Sequence, residues 1–170
     1  MASILGVETL QHTNGTTAAT IDSSGNVDMP QLATSKAIAF TAKKSSVEAP
    51  SSGSMYTGWT VVVDTHSGYQ SSTGKYRAPV AGLYAVSCAM LSNAQSGHVS
   101  WSFYKNGTQY HRGGYINGGY GHQQSSNETI IELDVNDEVS IGADANASDT
   151  TVYGEANGMT NFTVKYLGKA

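Results

Sequence analysis

The chain has 170 residues, a formal net charge of −4, and nine scattered Lys and Arg. Phosphate-rich partners are held by clustered cations that release counterions, so no nucleic-acid role is expected. No apolar run approaches the roughly 20 residues of a membrane-spanning helix, so no membrane insertion is expected either. Only 13% of residues are charged, Gly is frequent (19), Pro is scarce (3) and there are ten tyrosines. That mixture excludes a disordered chain and suits an all-β domain with many turns.

Residues 1–36, MASILGVETLQHTNGTTAATIDSSGNVDMPQLATSK, contain no aromatic residue and one basic one, Lys36. Their apolar residues come in small groups: Ile4, Leu5, Val7 and Leu10, then Ile21, Val27, Met29 and Leu32. Asn14-Gly15 and Ser24-Gly25-Asn26 are turn signals between them. No stripe is wide enough to close a core. The segment reads as an extended arm with short strands at 4–10 and 18–29, its apolar groups resting on a partner; a frayed tail is the alternative.

From residue 37 onward the pattern is a domain. KAIAFTAKK (36–44) and TGWTVVVDT (57–65) read as strands, with the turn-rich HSGYQSSTGK (66–75) after them. GKYRAPVAGLYAVSCAML (74–91) contains the longest strand. VSWSFYKNGTQYHRG holds two strands around Asn106-Gly107, the strongest hairpin signal in the chain. GGYINGGYGHQ (113–123) reads as a glycine-tyrosine loop. SNETIIELDVNDEVSIGADA gives two strands broken at Val135-Asn136-Asp137, SDTTVYGEANGMT one short strand, and NFTVKYLG the last. Eight to ten short strands without a helix imply a β-sandwich or barrel.

The strand at 83–91 lacks the usual alternation. Tyr84, Val86, Cys88 and Met90 fall on one face; Leu83, Ala85, Ser87, Ala89 and Leu91 fall on the other, with Ser87 its one polar residue. Two readings fit: the second face meets other copies of the chain, or the chain's own loop or second sheet covers it.

The order of these segments resembles the C1q-like domain of the C1q and tumour-necrosis-factor superfamily. AFTAKK (39–44), TGKYRAPVAGLYAVSC (73–88), FYKNG (103–107), IIELDVNDEVSI (130–141) and NFTVKYLG (161–168) carry the likeness. Asn136 stands where the family's turn has Gly, and the closing segment lacks the family's Phe-Ser-Gly. The resemblance implies a ten-stranded jelly-roll β-sandwich over 37–170, preceded by an extended N-terminal arm, 1–36. It also implies a homotrimer, with Leu83, Ala85, Ser87, Ala89 and Leu91 facing neighbouring subunits. The start MASIL-x-V-x-TLQ followed by Gly-Thr-Thr is similar to the N-termini of tail and fibre proteins of tailed bacteriophages. That likeness implies a virion anchor through Ile4, Leu5, Val7 and Leu10, contacts with other virion proteins, and location in the virion after synthesis in a host cytoplasm. One cysteine, Cys88, and no basic-then-apolar start agree with a reducing compartment.

Candidate sites are few. HSGYQSSTGKY spaces its glycines wrongly for a phosphate-binding loop and has Tyr76 after Lys75. Asp144, Asn146, Ser148 and Glu155 keep a calcium-loop count, but Asp149 stands where the sharp turn needs Gly. Some C1q-like domains bind calcium between loops; the resemblance makes Asp134, Asp137, Asp144 and Asp149 candidate ligands, with ordinary solvated acids as the alternative. No cofactor is otherwise expected, and no catalytic motif occurs. His111, Arg112, Tyr115, Tyr120 and His122 are the surface candidates, since exposed rings beside hydrogen-bond donors suit sugars or proteins; rings packed onto the sandwich are the alternative. The expectation is a non-enzymatic trimeric virion protein that touches a host-surface glycan or protein. A free lectin-like protein and a polysaccharide depolymerase are the other readings.

Overall fold

A computed structural model describes residues 9–11, 17–28, 37–92, 97–119, 121–154 and 158–170. The chain divides into two compact units, Met1–Ala37 and Ile38–Ala170.

In the first unit, β1 (Thr9–Gln11), β2 (Thr17–Ile21) and β3 (Val27–Asp28) form an antiparallel sheet in that order. The strand expected at 18–29 is thus two strands with a turn between them. The Asp22 carboxylate fastens that turn, accepting the Ser24 N–H at 2.8 Å and the Asn26 N–H at 2.9 Å, while Gly25 takes a left-handed φ of 83°. Asp and Gly in these roles are local turn chemistry that needs no core. Leu10 lies in β1; Ile4, Leu5 and Val7 lie outside the described residues.

The second unit has ten strands: β4 (Ala39–Lys44), β5 (Trp59–Asp64), β6 (Tyr69–Gln70), β7 (Lys75–Arg77), β8 (Gly82–Ser92), β9 (His98–Lys105), β10 (Thr108–Asn117), β11 (Gln123–Leu133), β12 (Glu138–Ala143) and β13 (Asn161–Gly168). They make two five-stranded antiparallel sheets, ordered β10-β9-β12-β7-β6 and β11-β8-β13-β4-β5. The described residues contain no helix. Alternation places Phe40 and Ala42, Tyr84 to Met90, Ile131 and Leu133, and Phe162 and Val164 inward from one sheet. Tyr76, Val99, Trp101, Phe103, Val139 and Ile141 are also buried, from the other sheet. Phe40 anchors an aromatic cluster, with ring centroids 5.2 Å from Tyr69, 5.1 Å from Tyr76 and 5.2 Å from Phe162. Rings this close contribute roughly 0.5–1.5 kcal/mol per pair beyond their buried area. Lys44 is also fully buried; its charge is met by Glu48 and by the Trp59 ring 5.2 Å away.

Three expectations change, two of loops and one of a strand. The connection 66–75 holds β6 and the start of β7, and the Asp64 carboxylate organises its entry by accepting the Gly68 and Tyr69 N–H groups at 3.1 and 2.9 Å. The glycine-tyrosine stretch 113–123 is strand through Asn117. SDTTVYGE forms no strand in its described part, only isolated bridges from Val152 to Glu48 and from Asp149 to Val99. The Asn106-Gly107 hairpin forms as read, with φ of 51° and 79°.

Candidate functional site

The ladder β11-β8-β13-β4 defines an outer face row by row. Glu128, Ser87, Thr163 and Thr41 lie side by side, and Ile130, Ala85, Lys165 and Ala39 form the next row. One row on, Glu132 pairs with Leu83. In the other direction, Ser126, Ala89, Asn161 and Lys43 follow. Leu83, Ala85, Ser87 and Ala89 are half-buried, while Ile130 is 55% and Leu167 49% exposed. The inner residues of β8, by contrast, are sealed in the core. Leu91 does not extend the open strip. It is buried, its carbonyl accepting the Tyr153 N–H at 2.8 Å and its N–H bonded to Thr160 Oγ1 at 3.0 Å. Ile130 and Leu167 escaped the sequence reading. The Ile130-Ile131 doublet was the available signal, because strict alternation would put a polar residue at 130.

The second surface lies along β10, the end strand of its sheet. Two bulges interrupt its pairing, between Gln109 and His111 and between Arg112 and Gly114. Bulges re-aim side chains and blunt an open edge against unwanted pairing. Gly113 and Gly114 are required by packing: a Cβ on either would run into the Trp101 side chain. Tyr115 is 53% exposed and its ring stacks on His98, with centroids 4.6 Å apart and planes 18° apart. His98 is itself held, donating from Nε2 to the Asn146 carbonyl at 3.1 Å. The two aromatics make one fixed platform; His98 was not singled out in the sequence because it lies on the neighbouring strand. His111 is exposed, and His122 meets Tyr153 edge-on at 5.0 Å. Tyr120 lies outside the described residues. Arg112 is engaged in the fold, donating from Nε to Asp144 Oδ2 at 2.9 Å.

The four candidate calcium acids form no common site. Asp134 and Asp137 belong to the β11–β12 turn, whereas Asp144 and Asp149 follow β12. Among the described residues no three His, Cys, Asp or Glu side chains gather around a point that suits a metal. Asp137 accepts from Asn106 Nδ2 at 2.8 Å and pairs with Lys105 at 3.0 Å; the Asn106 bond is the main cause holding its carboxyl at about 2. Asp144 is fully buried, accepting from Ser102 Oγ, Arg112 Nε and the Asn146 N–H. Burial alone would push this carboxyl up, but the Asn146 and Arg112 donors outweigh it and the carboxyl lies below the ordinary range. Asp149 accepts the Thr151 N–H at 2.8 Å and Asp134 is exposed. Cys88 is sealed in the core, where burial pushes its thiol well up and removes the thiolate needed for reactivity.

Comparison with solved structures places this architecture. Eiger TNF from S. frugiperda superposes with a TM-score of 0.62 at 14% identity, covering 79% of this chain and 94% of its own. The globular domain of zebrafish complement 1qA gives 0.61 at 13% identity, covering 79% and 100%. Murine APRIL gives 0.58 at 12% identity, covering 78% and 100%. The fold is therefore the C1q/TNF jelly roll. Residues 39–164 match the C1q domain model, and the chain belongs to the C1q domain family. Comparison with curated proteins returned no match. The family is generally non-enzymatic, and its domain fits a protein that works by adhesion or ligand binding.

Proposed function

We propose that the chain is a non-enzymatic, homotrimeric structural protein of a tailed-bacteriophage virion. The arm, residues 1–36, docks on other virion proteins; the C1q-like bodies associate through the outer face of β11-β8-β13 and present β10 to the host surface. The observation that carries the assembly is the apolar strip of Leu83, Ala85 and Ile130 on a face flanked by small side chains, with Leu167 exposed near the end of β13. An interface that holds subunits permanently resembles a core cut in half, and Ala85, Ser87 and Ala89 let a neighbour approach closely. The virion assignment is supported by the likeness of the N-terminal sequence, MASIL-x-V-x-TLQ followed by Gly-Thr-Thr, to the N-termini of tail and fibre proteins.

On the host side, the Tyr115–His98 platform is the favoured contact. A ring already fixed by stacking loses little freedom when a sugar face or protein settles on it, and three copies multiply a weak contact without new chemistry. The same platform would serve a free lectin-like adhesion protein, the second reading.

The test combines sizing and assembly. Sedimentation of the full chain at micromolar concentration is expected to give a trimer; a monodisperse monomer contradicts the reading. Deletion of 1–36 is expected to abolish incorporation into particles while leaving the bodies folded. Continued incorporation removes the anchor role and favours the free adhesion protein.

A further inference from the structure

The outer face carries an unbalanced pair of charges. Lys44, Lys75, Arg77, Lys105 and Arg112 each have an acidic partner within the chain. Lys165 and Glu128 make no ion pair among the described residues, and both are exposed on the same face. Glu128 stands on β11, an end strand; Lys165 stands on β13, the middle strand of that sheet. Two strands across and two residues along, strand geometry separates their Cα atoms by roughly 12 Å. The short side chains of Ser87, Ala85 and Thr163 stand between them, with Ile130 next to Glu128 on β11; Ser87, Ala89, Ser126 and Asn161 line a hollow of about 310 Å³ beside Glu128. Glu132, another acid on this end strand, lines a separate hollow together with Lys169.

The geometry points to Glu128 of one copy pairing with Lys165 of the next in the trimer. This rests on the trimeric reading above. Burying the strip of Leu83, Ala85 and Ile130 must also take neighbouring charges out of water, and an unmatched buried charge is strongly destabilising. A face that is acidic at its edge and basic at its centre meets that requirement when the edge of one copy lies across the centre of the next. Such a contact is heterologous, head to tail, and it closes into a ring when the rotation is right. The small residues between the two charges leave room for the incoming Glu128 side chain. The opposite-charge match also fixes register, since a slip would set Glu128 over neutral hydroxyls instead of the ammonium.

The experiment is a charge swap on the full chain, read by dilution in analytical ultracentrifugation at low and high salt. Glu128→Lys and Lys165→Glu are each expected to raise the trimer's dissociation constant by about tenfold or more. The double variant Glu128→Lys/Lys165→Glu is expected to recover most of that loss, and wild-type assembly is expected to weaken with salt. Glu128→Gln is the milder variant; far-UV circular dichroism establishes that it and the others are folded, and it is expected to weaken the trimer by less than reversal does. Single variants that assemble like wild type, or a double variant as weak as the two losses together, overturn the pairing while leaving the trimer intact. A wild-type chain that stays monomeric overturns the pairing and the trimeric reading together.

Discussion

Asp137 shows how one side chain ties two turns together. It joins the β11–β12 turn to the β9–β10 hairpin through the Asn106 amide at 2.8 Å and the Lys105 ammonium at 3.0 Å, and it accepts the Asp134 N–H of its own turn at 2.9 Å. The side-chain bond from Asn106 is the main cause that keeps its carboxyl at about 2 rather than 3.8. A lowered folded-state value stabilises the fold when the carboxyl is ionised in both states, above 3.8, and that contribution fades as pH falls toward 2. Thermal melts from pH 6 down to 2 are therefore expected to show a steeper fall for wild type than for Asp137→Asn. The gap between the two should narrow below about pH 4 and close near pH 2. A constant gap across that range would mean that the carboxylate's ionisation contributes nothing. Asn136, the departure from the family's usual Gly, adopts φ 72° in this same turn; Asn tolerates the left-handed region better than most residues, so the turn survives the change.

Individual strands were legible in proportion to how regularly their side chains alternate. The inward Tyr84, Val86, Cys88 and Met90 and the Asn106-Gly107 hairpin were plain, because pleat and turn chemistry act locally. The course of β10 was not. Its sequence, TQYHRGGYIN, reads as loop because paired glycines usually mark turns; here they are thin spots that admit the Trp101 side chain. Only the neighbouring strand explains them, so no window along the chain reveals the reason. The same holds for Leu91, whose burial depends on the distant Tyr153 and Thr160, and for the His98–Tyr115 platform. Gly113→Ala is accordingly expected to destabilise the domain by about 1–3 kcal/mol, the usual cost of overpacking, measured as a lowered midpoint in urea. A midpoint unchanged from wild type would show that Trp101 moves aside freely. The jelly roll itself was readable from the order of several anchors, since the family's turns fall between the same strands. Which outer-face residues stay open was readable only in part: Ile130 broke the alternation visibly, whereas Leu167 gave no signal of its own.

At the scale of the whole chain the division between Ala37 and Ile38 separates two kinds of stability. The larger unit has a continuous core that includes Phe40, Tyr76, Trp101 and Phe162; the smaller one is a short-stranded sheet with Ala19 its one buried apolar residue among those described. Residues 38–170 expressed alone are therefore expected to melt cooperatively within a few degrees of the full chain by circular dichroism. A broad, non-cooperative melt would mean that the arm supplies part of the body's core. Under the proposed function the arm serves attachment and the body assembly and contact, so the fold acquires its task from its surfaces.

The central place of β13 has a consequence for how the protein is made. It is the last strand in the chain, yet it lies between β8 and β4, with Val164 opposite both Val86 and Phe40. Until residues 161–168 leave the ribosome, that sheet is two separate ribbons with a gap down the middle, and the hydrophobic sides of both stay wet. Such long-range closure is slow and leaves nascent chains prone to aggregate. The sheet thus closes only after residues 161–168 have been made, and a chain lacking them has no sandwich to offer a partner.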